Sequence, residues 1–210
     1  YALAVNDFVK NRILRHHDTA TGMHAAAIST SSAILICAAL TAPKLYSGLS
    51  FINPQAMETT YCTPSTKPVF AKCIRAVYNT PVIGSFMYNL KYNRAAIMDK
   101  LSKVSGLEVA QKNELADSMY EAAHTGGYYG RFLLASIHGN LLNSDIARML
   151  SKLSTPILIV TGSADRQAKK ALPAFDIDKE NISSVILEDI SAPQLECPDK
   201  LARILNSFFN

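Results

Sequence analysis

Short apolar runs in the first part of the chain predict a strand–helix–strand unit. Residues 23–28 (MHAAAI) and 47–54 (SGLSFINP) are apolar enough to form buried strands, and Pro54 ends the second one. Between them, residues 30–42 (TSSAILICAALTA) begin with three hydroxyl residues, which suit the first turn of a buried helix, and Pro43 ends it. Such apolar strands are typical of a right-handed parallel unit.

The same pattern returns near the end of the chain. Residues 155–165 (TPILIVTGSAD) contain a buried strand that ends at Gly162, and residues 184–190 (SVILEDI) predict another strand. Residues 196–209 (ECPDKLARILNSFF) carry apolar side chains on one helical face, and residues 2–14 have a similar helical spacing. The predicted fold class is therefore α/β with a mostly parallel sheet.

Only helical patterns occur between Pro54 and Thr155. The segments are 67–79, 84–104, 107–124, 128–140 and 143–153, with breaks at Pro81, Gly84, Gly106 and residues 125–127. A connection of this length is too long for a simple crossover between two strands. We therefore interpret residues 55–154 as a helical cap inserted into a core of residues 1–54 and 155–210.

The predicted cap contains a group of tyrosines. They are Tyr88, Tyr92, Tyr120, Tyr128 and Tyr129. We expect them to pack the cap, because aromatic side chains bury large apolar areas. The alternative is that some of them line an apolar pocket.

Composition and motifs exclude several classes of protein. The 210 residues are 49% hydrophobic and 18% charged, which is enough for a substantial core. The net charge of +4 comes from scattered Lys and Arg, so no nucleic-acid surface is predicted. The chain lacks a phosphate-binding loop, a dinucleotide fingerprint, a zinc-protease motif and an EF-hand loop, so we expect no cofactor and no metal.

A membrane span and metal-binding cysteines are also disfavoured. Residues 25–42 are about long enough to cross a bilayer, but hydroxyl residues at 29–32 and 41 interrupt them, so a strand followed by a buried helix explains them better. The four cysteines have no metal-type spacing and are Cys37, Cys62, Cys73 and Cys197. Their pattern favours reduced thiols and a cytoplasmic location.

The turn after the first predicted strand could hold a nucleophile. A nucleophile between a strand and a helix adopts a strained backbone, which requires small residues two positions away on either side. Ser29 meets this requirement with Ala27 and Ser31, and Ser31 is a competing centre. The backbone N–H of Thr30 would lie at a helix N-terminus, where a developing oxyanion is stabilised. A polar cap on a buried helix explains the same residues without any chemistry.

The stretch MHAAAISTSSAILICAALTAPKLYSGLSFINP resembles the α/β-hydrolase superfamily. In that family a V-H-x-V-G-x-S strand leads into a small-residue turn, a helix, a proline and an L-x-L-I-N-P strand. Pro43 follows Ser29 by fourteen residues, a spacing common in the family, but follows Ser31 by only twelve. The resemblance therefore implies that Ser29 is the nucleophile and that Thr30 contributes to the oxyanion hole.

Two later motifs extend the resemblance over nearly the whole chain. TPILIVTGSAD resembles the family strand whose G-x-x-D supplies the acid of the triad, which implies this role for Asp165. ISAPQLECPDKLARIL resembles the family's H-x-P-x-x-E-x-P segment, and Pro193, Glu196 and Pro198 match it. At the position where the family has its histidine, however, this chain has Ser191. A serine hydroxyl cannot act as a general base near neutral pH, so a triad without histidine would leave Ser29 weakly nucleophilic.

Another histidine could replace the missing base. The five histidines are His16, His17, His24, His124 and His138. His24 lies at the start of a strand, far from the turn at Ser29. His124 lies beside a glycine pair and the tyrosines, so it is the best substitute, although a structural histidine of the cap is the simpler interpretation.

The resemblance also implies that the strands present are the last four of an eight-stranded sheet. The second oxyanion donor would then lie before Tyr1, and a truncated form of a longer protein is the simplest explanation. If the chain truly starts at Tyr1, an open sheet edge should favour a partner or self-association. The implied activity is hydrolysis of an ester or similar acyl bond on a small apolar substrate, weak or lost because of Ser191. The alternative is a non-catalytic pseudohydrolase that binds a small apolar ligand or a protein partner.

Overall fold

The structure is a computed structural model that describes residues 1–16, 22–55, 68–139, 146–175 and 179–210. The chain divides into two compact units. The first comprises Tyr1–Ala56 and Ser144–Asn210, and the second comprises Met57–Asn143. Cys62 and His17 lie outside the described residues.

A parallel four-stranded sheet forms the centre of the first unit. Its order is β1 (Met23–Ile28), β2 (Tyr46–Ile52), β3 (Ile157–Gly162) and β4 (Ile182–Leu187). All three pairings are parallel. The predicted α/β class with a parallel sheet is confirmed. The carboxyl ends of all four strands therefore meet at one edge of the sheet, where parallel sheets usually hold their functional groups.

The helices lie between and after the strands. In chain order they are α1 (Ala2–Phe8), α2 (Ser31–Thr41), α3 (Pro68–Asn79), α4 (Pro81–Tyr92), α5 (Arg94–Ser102), α6 (Val109–His124), α7 (Gly130–His138), α8 (Ile146–Leu150), α9 (Arg166–Phe175), α10 (Pro193–Glu196) and α11 (Pro198–Phe209). Helix α1 continues as a π-helical turn and a 3₁₀ turn, and a further 3₁₀ turn precedes β2; these are Val9–Ile13, Leu14–His16 and Pro43–Leu45. None of the helices in the described ranges is long and apolar enough to cross a bilayer.

Apolar strands and amphipathic helices build the core of the first unit. Leu201 of α11 packs with Ile52, Leu158, Val160 and Leu187 of the sheet. This contact confirms the amphipathic closing helix, because burying one apolar stripe against a sheet stabilises both elements. Helix α2 is buried on most of its surface, as its apolar sequence predicts.

One helix of the first unit was not predicted from the sequence, and another lies in a segment that was predicted as part of the cap. Helix α9 follows Asp165 directly and includes Pro173, a residue that normally argues against a helix interior. The predicted cap included residues 143–153, but α8 packs against α2 and α9 of the first unit. Short segments such as α8 have too few positions for their pattern to indicate which neighbour they contact.

The second unit consists of helices α3 to α7. Tyr78, Tyr88, Leu134 and Ala135 form a buried cluster from three of these helices. The predicted helix break at Gly84 is wrong. Helix α4 begins at Pro81, and the chain breaks instead between α4 and α5, where the Asn93 side chain accepts a hydrogen bond from the Ala96 N–H. An amide side chain at this position satisfies an unpaired helix N–H.

Four of the five tyrosines cluster around His124. The His124 ring lies 4.2 Å from Tyr120 and 5.9 Å from both Tyr88 and Tyr128, measured between ring centroids. Tyr88 also contacts Tyr92, with the two rings tilted relative to each other. Tyr129 lies apart from this group and contacts Phe132. Only Tyr88 is buried and Tyr92 partly buried, whereas Tyr120, Tyr128 and Tyr129 are exposed, so the expected packing role holds for two of the five tyrosines.

Candidate active site

Ser29 adopts a strained backbone conformation immediately after β1. Its φ is 58°, in the left-handed region that costs a residue with a Cβ about 1–2 kcal/mol. Its N–H donates to Ile52 O at 2.9 Å, and its carbonyl accepts from Ser32 N at 3.2 Å and from Gln55 N at 3.4 Å. The turn is therefore held by β2 on one side and α2 on the other. Strain that the surroundings maintain in this way is typical of functional sites.

The hydroxyl groups of Ser29 and Ser31 differ in their contacts. Ser31 Oγ donates to Ile28 O at 2.7 Å and accepts from Ile28 N at 3.1 Å, so its hydroxyl is engaged by the end of β1. Within the described residues, no hydrogen bond engages Ser29 Oγ. Ser31 is also the first residue of α2 and has helical geometry. Of the two candidate serines, Ser29 is the one with both the strained backbone and an available hydroxyl.

Thr30 lies between the strained serine and the start of α2. It has ordinary helical backbone angles, with φ −65° and ψ −21°. Its backbone N–H makes no hydrogen bond within the described residues, because it belongs to the unpaired first turn of the helix. An unpaired N–H at a helix N-terminus, next to a serine, has the chemistry of an oxyanion donor.

Asn53 joins the loops that follow β2, β3 and β4. It comes directly after β2, is buried and also has a positive φ of 42°. Its Oδ1 accepts from Gly162 N at 2.7 Å, and its Nδ2 donates to Ser191 O at 2.6 Å and to Asp165 Oδ2 at 3.2 Å. The loops carrying Asp165 and Ser191 are therefore brought together by one side chain, and the adjoining residue, Ile52, is bonded to Ser29.

Asp165 caps helix α9. Its Oδ1 accepts from Gln167 N at 2.8 Å and from Ala168 N at 3.2 Å, and its Oδ2 accepts from Asn53. The carboxylate is thus oriented by backbone and side-chain donors that carry no charge. A carboxylate at a helix N-terminus is also stabilised by the helix dipole.

Ser191 faces Glu196 through its hydroxyl. Ser191 Oγ donates to Glu196 Oε1 at 2.6 Å, and the same oxygen accepts from Ser191 N at 2.8 Å and from Ala192 N at 2.6 Å. Glu196, in α10, therefore binds the two residues that precede this helix. All three hydrogen bonds to Glu196 Oε1 come from Ser191 and Ala192, so this oxygen orients the loop that carries Ser191.

Sequence reasoning assigned no role to Asn53 or Glu196. Both stand within motifs that the sequence displays, INP after β2 and P-x-x-E-x-P before α11. The signal was a polar residue within an otherwise apolar or proline-rich motif. Their roles depend on bonds to residues that are distant in the chain or in a loop of irregular shape, which spacing alone does not indicate.

His124 is the substitute base that the sequence suggests, and it lies in the second unit. Its Nδ1 is 2.8 Å from Tyr120 O, and its Nε2 is 3.1 Å from Asn89 Oδ1. Both ring nitrogens thus have partners within that unit. His24 is exposed on β1 and stacks on Phe209, with 4.5 Å between ring centroids. Across the described residues, no group of three or more His, Cys, Asp or Glu side chains is placed to hold a metal ion.

Comparisons with known proteins identify the fold. No protein-family model matches the chain, and no curated protein matches it. Among solved structures, the chain is similar to the meta-cleavage product hydrolase of Pseudomonas fluorescens IP01 complexed with acetates, with a TM-score of 0.64 and 16% identity over 100% of this chain and 71% of that one.

Two other solved structures show the same likeness. One is a thermophilic esterase from Thermogutta terrifontis, with a TM-score of 0.61 and 14% identity over 94% of this chain and 68% of that one. The other is MGS-M2, an α/β hydrolase enzyme from a Medee basin deep-sea metagenome library, with a TM-score of 0.60 and 17% identity over 97% of this chain and 70% of that one. Together with the sheet order and the strained turn at Ser29, these similarities establish that the chain has the α/β-hydrolase fold.

Proposed function

We propose that this chain carries a serine-hydrolase site whose general base has been lost, with hydrolysis of a small apolar ester as the parent reaction. In this proposal Ser29 is the nucleophile, the Thr30 N–H is an oxyanion donor and Asp165 is the acid. Ser191 occupies the position of the histidine. The remaining activity is weak or absent, because Ser29 keeps its proton near neutral pH.

The observation that carries the proposal is the geometry of Ser29. A φ of 58° for a residue with a side chain persists only where neighbouring contacts impose it. Bonds to Ile52 and Ser32 impose it here, and they leave the Ser29 hydroxyl available. Asparagine and aspartate adopt a positive φ more readily than serine, and they stand at the other two such non-glycine positions of the described residues, Asn53 and Asp189. The esterase and hydrolase folds that the chain resembles support the same class of reaction.

The proposed loss of activity rests on the contacts of Ser191. Its hydroxyl donates to Glu196, and a hydroxyl oxygen is too weakly basic to take a proton from Ser29 near neutral pH. Removing a triad member typically lowers the rate by several powers of ten, although binding and an oxyanion hole can retain some catalysis. His124 as a substitute base remains a weaker part of the proposal, since both of its ring nitrogens already have partners.

A second candidate function, binding without catalysis, has its own supporting observation. Asp165 accepts hydrogen bonds on both oxygens, and Ser191 is bonded to Glu196, so the polar network at the strand ends is complete without an imidazole. Such a network would suit a pseudohydrolase that binds a small apolar ligand or a protein partner.

A cytoplasmic location is part of either proposal, and the thiols of Cys73 and Cys197 form no disulfide.

Labelling with a fluorophosphonate probe separates the two functions. The reagent forms a covalent bond with a nucleophilic serine and requires an oxyanion donor. We expect slow labelling of the wild type, loss of labelling in Ser29→Ala, and retention in the matched Ser31→Ala variant. Labelling that persists without the Ser29 hydroxyl would exclude Ser29 as the nucleophile. A folded wild type that never labels would leave only the binding function.

Restoring the base is the complementary experiment. Ser191→His should raise hydrolysis of p-nitrophenyl acetate by roughly 10²-fold or more, the usual contribution of a general base. Ser191→Asn, which has similar size and no basic nitrogen, should give no increase, and the double variant Ser29→Ala with Ser191→His should be inactive. An equal rate in the His and Asn variants would show that residue 191 does not occupy the position of the base.

A further inference from the structure

A half-buried lysine in the second unit contacts a buried histidine directly. Lys91 lies on α4, and its Nζ is 2.5 Å from Nε2 of His138 on α7. Within the described residues, this is the only hydrogen bond of the Lys91 side chain, and Lys91 forms no ion pair there. A lysine that loses part of its hydration normally gains a carboxylate in exchange. Lys91 instead contacts the imidazole ring of His138.

The histidine is held firmly in this position. His138 is 7% exposed, and its ring stacks on Tyr78 of α3 with 5.1 Å between centroids and 12° between planes. Burial, and then the charge of Lys91, lower the pKa of His138 to about 4. The ring is therefore neutral at physiological pH, and the lone pair on Nε2 can accept a hydrogen bond from the amine.

Helices α3, α5, α6 and α7 contact α4. Arg75 of α3 lies against Gly139, next to His138, and Lys100 of α5 acts on Lys91 through its charge. Helices α3, α4 and α7 contain no Asp or Glu. The carboxylates on the other two helices are Asp99 of α5, paired with Lys103 at 2.9 Å, Asp117 of α6, paired with Arg94 at 2.5 Å, and Glu114 and Glu121 of α6. Within the described residues, none of them pairs with Lys91.

This surrounding favours the neutral form of the amine. Burial, and then the positive charge of Lys100, lower the pKa of Lys91. A neutral amine is the nucleophilic form of lysine, and partial desolvation is a common way in which proteins activate it. Lys91 is partly exposed, so a small reagent can reach it.

We infer that Lys91 is a nucleophilic amine, oriented by its hydrogen bond to His138, and that it accepts acyl groups from activated acyl esters. The inference is independent of the proposed hydrolase site. The geometry that supports it is the direct contact between Nζ and Nε2, on a ring that Tyr78 holds in place, where the Lys91 side chain pairs with no carboxylate of the described residues.

The reaction needs only the amine and the acyl ester. The Lys91 nitrogen uses its lone pair to form a bond with the acyl carbonyl carbon. The bond from that carbon to the leaving oxygen breaks, and the leaving group departs with the electron pair. The nitrogen loses one proton, which passes to the leaving group or to water. The products are an amide on Lys91 and the free alcohol of the ester.

The test measures the acylation rate of each lysine within the same sample. The wild-type chain is treated with a limiting amount of the N-hydroxysuccinimide ester of acetic acid at pH 7, and the acetylated peptides are quantified by mass spectrometry. Lys103, exposed and paired with Asp99, is the internal reference. We expect Lys91 to react roughly tenfold faster than Lys103, because an amine with a lowered pKa is neutral in a larger fraction of molecules at pH 7. An equal or slower rate at Lys91 would overturn the inference.

Two controls separate the geometry from the local sequence. In His138→Gln the rate at Lys91 should fall severalfold while the rate at Lys103 stays unchanged; an unchanged Lys91 rate would refute the role of His138. In guanidinium-unfolded wild type, Lys91 should lose its advantage over Lys103. An advantage that survived unfolding would show that the folded contacts do not cause it.

Discussion

Asn53 Nδ2 lies 3.2 Å from Asp165 Oδ2, across 112 positions of sequence. The same side chain binds Ser191 O and Gly162 N, so one amide connects the ends of three strands of the sheet. The carboxylate therefore faces a neutral donor. Asn53 keeps the loops of the proposed site together, whether or not a base is present.

Replacing Asn53 should destabilise the first unit. Asn53→Ala removes three hydrogen bonds, leaves the buried Gly162 N–H without its acceptor and keeps a Cβ at a positive φ. We expect the free energy of unfolding to fall by about 2–4 kcal/mol. Asn53→Gly relieves the backbone strain and should lose about 1 kcal/mol less. Urea unfolding followed by circular dichroism measures both.

Asn206→Ala provides the matched control for these variants. Asn206 is exposed on α11, so its loss should change the free energy of unfolding by no more than about 0.5 kcal/mol. If Asn53→Ala were as mild as this control, the amide would not hold the strand ends together.

Local patterns predicted β2 and β3, because a parallel strand that is buried along its length must be apolar. β3 ends at Gly162 as expected, and residues 23–28 form β1 with the predicted bounds. The prediction that β1 is buried is wrong: it is an edge strand of the described sheet in which only Ala27 is buried. The break at Asn93 was missed because asparagine at a helix start depends on one hydrogen bond to Ala96, which an amphipathic pattern does not encode. Likewise, the role of Asn53 depends on partners that only the folded chain brings near.

The strain at Ser29 predicts an unusual response to glycine. Ser29→Gly removes a left-handed penalty of about 1–2 kcal/mol and adds roughly 0.5–1 kcal/mol of entropy cost, so stability should stay equal or rise by up to about 1 kcal/mol. Thr30→Gly, at an ordinary φ of −65°, should lose about 0.5 kcal/mol instead. Unfolding in urea ranks the two variants, and equal losses at both positions would contradict the backbone angle of Ser29.

Gly84 should be intolerant of alanine although it lies in a helix. Gly-to-Ala changes in exposed helices usually stabilise by about 0.5–1 kcal/mol. Here the added Cβ would overlap the Tyr78 carbonyl, so the turn between α3 and α4 must shift. We expect a loss of roughly 1–3 kcal/mol, seen as faster amide hydrogen exchange in the second unit. Ser85→Ala, at the next position, is the control and should change little; a slower exchange in Gly84→Ala would refute this packing.

The stability of the second unit should fall as the pH is lowered from 7 to 5. The pKa of His138 is about 4 in the folded chain and 6.5 in its ordinary state, because burial and then the charge of Lys91 disfavour the imidazolium. Between these values the unfolded chain binds more protons than the folded chain, so the free energy of unfolding falls with falling pH. Lys91, whose charge contributes to this shift, is partly exposed and therefore screened, so we expect a loss of about 1 kcal/mol, less than the full shift implies. Amide hydrogen exchange of α4 and α7, corrected for intrinsic rates, measures this loss.

Two variants test the assignment to His138. His138→Gln should flatten the pH dependence, whereas His24→Gln, which replaces an exposed histidine of β1, should leave it unchanged. A flat profile in the wild type would show that His138 takes up its proton as readily in the folded chain as in the unfolded one.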